Sequence, residues 1–92
     1  MKIRIKAPPP WIRGKAHSMY RDQSLSVLVD RELEAKLQAD SKVYLVRASA
    51  IKAALGDKTS AALSWQAHCD RIGIKSSEFV SLPVKCAEEI KA

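Results

Sequence analysis

The side chains of this 92-residue chain that could attack a substrate or hold a metal are few and poorly spaced for either task. His17, His68, Cys69 and Cys86 are the candidate metal ligands, and no pair has the C-x-x-C or H-x₃₋₅-H spacing of a zinc site. His68 and Cys69 are adjacent, so on a helix they would point about 100° apart. A small apolar cysteine on a packed helix accounts for Cys69 without a metal, and neither a metal nor another cofactor is expected. Nucleophilic catalysis needs a Ser or Cys, a base within hydrogen-bond reach and an oxyanion site. The serines are scattered, and none lies in a G-x-S-x-G context. Glu88 and Glu89 are adjacent and read as a solvated pair. Gly14, Gly56 and Gly73 are too far apart to cradle a phosphate in a Walker or Rossmann loop. The expectation is a protein that binds and does not catalyse.

What could bind is concentrated near the start. Residues 1–21 carry Lys2, Arg4, Lys6, Arg13, Lys15 and Arg21 with no Asp or Glu, and these six charges equal the +6 net charge of the chain. Residues 22–92 balance ten basic against ten acidic side chains. Trp11, His17 and Tyr20 lie among the cations, and aromatic and arginine side chains together suit phosphate contact and base stacking. The candidate partner or nucleic-acid contacts are therefore Arg4, Trp11, Arg13, Lys15, His17, Tyr20 and Arg21. A second candidate set is acidic: Asp30, Glu32 and Glu34, which could face a basic partner or could simply cap and solvate a helix start.

The elements that must position these residues read as one small α+β domain. Lys2-Ile3-Arg4-Ile5-Lys6 alternates with period two, predicting a strand over 2–6 with Ile3 and Ile5 inward and a basic row outward. That row is either a binding face or an edge guarded by lysines against aggregation. Pro8-Pro9-Pro10 stops the strand and delivers Trp11 to a defined place, as a core cap or as an exposed platform. Further strands are predicted over 16–21 and 24–29, forming a hairpin across Asp22-Gln23, and over 42–47. Helices are predicted over 30–39, opened by Asp30, over 48–55, ended by Gly56, and over 58–71, ended by Gly73. The expected architecture is an antiparallel sheet of about four strands with these helices packed on it. A terminal helix is expected over 84–91.

Residues 65–82 also suit a degenerate helix-turn-helix, with Gly73 at the turn and Ile72, Ile74, Phe79 and Leu82 at packing positions. Its exposed side would offer Ser76, Ser77, Glu78 and Ser81 with only Lys75 basic, which is poor equipment for base edges. A small phage or bacterial DNA-binding regulator is the alternative function that this segment would carry. No apolar run approaches the ~18 residues of a membrane span, and the charged first residues are not followed by the apolar core of a signal peptide. A cytoplasmic protein is expected, with two reduced thiols and no membrane partner.

The opening Met-Lys-Ile-Arg-Ile-Lys-Ala-Pro-Pro-Pro-Trp, the chain length, and a cationic front on a neutral α+β body resemble the phage-encoded anti-CRISPR proteins of the type I-F class. The resemblance spans the whole chain and rests on no specific motif. It implies a monomeric inhibitor in the host bacterial cytoplasm that binds the RNA-guided Csy surveillance complex and blocks target DNA binding. It would do so by occupying protein subunits, the guide RNA, or both. On that reading Arg4, Arg13, Lys15 and Arg21 would meet phosphates, and Asp30, Glu32 and Glu34 would meet lysines of the complex.

Overall fold

A computed structural model describes residues 1–15, 18–38, 40 and 42–91. Strand β1 (Lys2–Ile5) forms as its alternation predicts, with Ile3 and Ile5 fully buried. It is the middle strand of an antiparallel three-stranded sheet, flanked by β4 (Glu32–Glu34) and β8 (Ala87–Ile90). A second, five-stranded sheet runs in the order β3 (Met19–Tyr20), β2 (Ile12–Arg13), β7 (Phe79–Pro83), β6 (Val43–Arg47), β5 (Lys36–Gln38), every pair antiparallel. The sheets are joined at Ala35. β4 and β5 are one extended run that pairs first with β1 and then with β6. The buried Ala35 is clamped by both backbone groups of Met1: the ammonium donates to its carbonyl at 3.0 Å, and its N–H donates to the Met1 carbonyl at 2.7 Å.

Helix α1 (Ala48–Leu55) follows β6 directly and closes on Gly56 at φ 105°. Helix α2 (Ser60–Ile72) is opened by Thr59, whose hydroxyl accepts the Ala62 N–H at 3.1 Å and donates to the Leu55 carbonyl at 2.7 Å. One side chain thus caps α2 and ties it to the end of α1. α1 lies against β4 and β6, and α2 against α1 and the 3₁₀ segment Gln23–Leu28. A single apolar cluster unites Ile3 and Ile5 of one sheet, Val46, Val80 and Leu82 of the other, and Ile51, Leu55 and Trp65 of the helices. The buried Trp65 indole N–H donates to the Ala48 carbonyl at 3.0 Å, so the large ring enters the core without leaving a donor unpaired. No helix among the described residues is long and apolar enough to cross a membrane.

The α+β class is as expected, and five local expectations are corrected. There are two sheets where a single four-stranded one was predicted. Residues 24–29 are not a strand. The Asp22 carboxylate accepts the Ser24 N–H at 2.8 Å and starts the 3₁₀ segment, whose inward residues Leu25 and Leu28 are three apart, as that geometry requires. β3 therefore pairs with β2, and residues 16 and 17 of the predicted 16–21 strand lie outside the described residues. Residues 30–39 are not a helix. Asp30 sits at φ 69° and donates its N–H to the Ile5 carbonyl, so the chain leaves the turn already hydrogen-bonded to β1. Leu33 and Ala35 then point inward by period two.

The helix-turn-helix over 65–82 does not exist. Gly73 ends α2 at φ 84°, residues 76–78 turn, and Phe79–Pro83 forms a strand paired with all of β6. The terminal segment is a short 3₁₀ turn, Val84–Cys86, followed by β8 on β1, where Glu88 stands opposite Arg4.

Candidate partner-binding face

Each sheet turns one face toward the apolar core and the other outward, and the two outward faces differ in charge. On the three-stranded sheet Arg4 of β1 and the residues flanking that strand, Met1 and Lys6, meet carboxylates of both neighbours. Arg4 Nη2 lies 3.0 Å from Glu32 Oε2, Lys6 Nζ lies 3.2 Å from Glu88 Oε1, and the Met1 ammonium lies 4.0 Å from Glu34 Oε2. Lys2 stands opposite Glu34 in the ladder. The cationic front of the chain is thus divided by folding, and its first half is matched by glutamates distant in sequence. The same pairs occupy Glu32 and Glu34 of the acidic set, while Asp30 is exposed in its turn.

On the five-stranded sheet Tyr20, Ile12, Val80, Leu82, Val46 and Tyr44 face the core. The opposite face carries a row that crosses all five strands: Met19, Arg13, Ser81, Leu45 and Lys36. Phe79 and Arg47 lie on one side of that row, and Pro83, Val43 and Gln38 on the other. Among the described residues, no outward strand position on this face is acidic, and Arg13, Lys36, Lys42 and Arg47 make no ion pair.

Two shallow clefts interrupt this face. One of about 360 Å³ is lined by Trp11, Arg13, Gln38, Lys42 and Pro83 among others, with the Arg13 guanidinium carbon 5.2 Å from the Trp11 ring centre. The other, about 300 Å³, lies where the sheets meet and is lined by Lys36, Arg47, Phe79, Ser49 and Glu34 among others. There the Phe79 ring, 37% exposed, has Lys36 Nζ at 4.9 Å and the Arg47 guanidinium carbon at 4.6 Å. Arg47 is held in place by donating to the Ser77 carbonyl at 2.7 Å. Cation–π attraction offsets part of the repulsion between two like charges on one ring; Glu34 shares the cleft, but among the described residues no carboxylate oxygen lies within 4.0 Å of either cation.

Of the residues singled out in the sequence, Trp11 and Arg13 lie on this face, and Arg21 reaches its edge, donating to Met19 Sδ at 3.5 Å. Lys15 is exposed at the β2–β3 turn. Arg4 belongs to the other sheet. Tyr20 is removed from the set: it is 6% exposed, its hydroxyl is hydrogen-bonded to Ser64 Oγ at 2.9 Å, and its ring meets Trp65 edge-on at 5.1 Å. His17 lies outside the described residues. Lys36, Lys42 and Arg47 carry no signal in the sequence, being scattered through the neutral body, and Phe79, expected to pack inside a helix-turn-helix, is instead 37% exposed on β7. Residues 43–46 are a continuous apolar run and Phe79-Val80 are both apolar, so no local pattern separates the outward side chains of β6 and β7 from the inward ones.

The groups with chemical reactivity lie elsewhere. Burial and the adjacent Asp70 charge push the Cys69 thiol up to about 11, and burial also raises Cys86. At neutral pH both are protonated thiols, which are poor nucleophiles. Among the described residues no three His, Cys, Asp or Glu side chains are grouped to hold a metal ion. Compared with protein-family models, with curated proteins and with solved structures, the chain has no match.

Proposed function

We propose that this chain is a non-enzymatic binding protein that docks the open face of its five-stranded sheet on an anionic, nucleic-acid-bearing partner. The observation that carries the proposal is the contrast between the faces among the described residues: Arg4 and Lys6 are ion-paired to carboxylates on one sheet, while Arg13, Lys36, Lys42 and Arg47 make no ion pair, beside two aromatic rings, on the other. Unmatched basic side chains over a surface of this kind attract polyanions and steer their approach.

Within that class, the resemblance to type I-F anti-CRISPR proteins would make the partner the RNA-guided Csy surveillance complex. The mechanism would be stoichiometric occlusion of target DNA in the host cytoplasm. Arg13, Lys36 and Arg47 replace Arg4 as the residues that would meet phosphate. The test uses purified surveillance complex and a labelled DNA target. The wild-type chain should abolish the DNA mobility shift at near-equimolar ratio, and the triple variant Arg13→Glu, Lys36→Glu, Arg47→Glu should leave the shift intact while staying folded, with a melting temperature lowered only by the loss of the Arg47–Ser77 bond and the contacts on Phe79. A wild-type chain without effect on DNA capture removes the inhibitor assignment. A fully active triple variant removes the face.

A further inference from the structure

Resting on the docking face proposed above, we infer that its ligand is an unpaired nucleic-acid strand, bound by stacking bases on Trp11 and Phe79. Arg13, Lys36, Lys42 and Arg47 hold the phosphates between and beside the rings. Charge complementarity alone would suit any polyanion; the two rings are what narrow the choice. In the ladder Arg13 stands opposite Ser81, which sets Trp11 near Pro83 and Phe79 two residues beyond Ser81 in the other direction. Four residues of strand rise and one inter-strand step separate the rings by roughly 14 Å. Each ring borders its own cleft, and each has a cation within 5.2 Å of its centre.

An open antiparallel sheet with two aromatic rings and flanking cations is a surface on which two or three splayed bases can stack. A duplex keeps its bases paired and stacked on one another, so it could use the cations and not the rings. Ser81 and Leu45, which form the part of the Trp11 cleft nearer Phe79 in the ladder, are short or only half exposed, so the strand would cross a low floor.

The experiment is a fluorescence titration of the full chain with unlabelled oligouridylate and oligothymidylate of about 12 nucleotides, against a duplex of the same length and against heparin. Trp65 is 1% exposed, so a stacking quench reports on Trp11. The expected result is a quench with either single strand and none with duplex. Phe79→Ala, at a half-open position, should weaken single-strand binding at least about 5-fold while heparin affinity stays the same. Trp11→Phe should keep affinity and lose the quench, which separates stacking from a structural role. Equal affinity for both single strands supports recognition of bases and phosphates; a preference for oligouridylate supports it with added contact to the 2′-hydroxyl. Heparin binding without single-strand affinity, or duplex binding equal to single-strand binding with no quench, overturns the inference and leaves electrostatic docking standing. Loss of heparin binding as well removes both.

Discussion

Two residues show how local physics becomes a measurable property of this molecule. His68 is 6% exposed on α2, its ring lying 5.7 Å from Trp65 and 4.9 Å from Tyr20. Burial first, and the nearby Arg71 charge second, hold its pKa below the ordinary 6.5. The unfolded chain therefore takes up this proton at a higher pH than the folded one. Stability is unaffected well above pH 6.5 and falls as the pH drops below it, until the folded ring also protonates. Chemical denaturation between pH 7.5 and 5.2, above the carboxylate range, should show a falling midpoint in the wild type and a flatter profile in His68→Phe. Lys42 is the second case. It sits at φ 52°, a left-handed conformation that costs an L side chain about 1–2 kcal/mol. It also lines the Trp11 cleft. Lys42→Gly removes the strain and the cation together, so it should hold or raise the melting temperature while weakening the binding of a nucleic-acid ligand. A variant that loses stability and binding in parallel would show that Lys42 acts on the fold alone.

At the scale of elements, the joint between the helices depends on one side chain. Thr59 both caps α2 and reaches back to α1, and its methyl group packs against Gly56, where an added Cβ would lie 2.7 Å from it. Thr59→Ala should cost about 1–2 kcal/mol by denaturant unfolding. Thr59→Ser, which keeps both hydrogen bonds, should recover most of that loss. The helix ends were legible in the sequence because their signals are local: Gly56 lies directly after α1 and Gly73 directly after α2, whereas the bond from Thr59 back to α1 was not foreseen. The alternation of β1 and the apolar run of β6 were legible for the same reason. What misled was ambiguity over short spans. Leu33 and Leu37 fit one face of a helix, while Leu33 and Ala35 fit one face of a strand. The tie is broken by hydrogen bonds to β1 and β6, which no local pattern records. In the structure Leu37 is 51% exposed and Ala35 is buried, the reverse of the helical expectation. The candidate face was half legible. Trp11 and Arg13 stood out among clustered cations, whereas Phe79, Lys36 and Arg47 become neighbours only when β7, β6 and β5 pair.

Over the whole molecule, the net charge of +6 is less informative than its distribution. If all cations acted alike, removing any of them would weaken polyanion binding equally. The fold makes them unequal. Arg4 and Lys6 are matched at 3.0 and 3.2 Å by carboxylates on half-exposed surface, where such pairs contribute at most about 1 kcal/mol each. Arg13, Lys36, Lys42 and Arg47 have no such counter-charge among the described residues. Four phosphate contacts on a single strand imply a slope of log K against log salt of about −3, or roughly a 50-fold loss of affinity between 50 and 200 mM. Removing one of the four should reduce that slope by about 0.7. Arg4→Gln or Lys6→Gln should leave the slope unchanged and lower the unfolding free energy only slightly. The comparison separates a directed surface from a diffuse positive field. A slope that shifts equally for Arg4→Gln and Lys36→Gln would mean that binding senses total charge, and the open face would lose its special status.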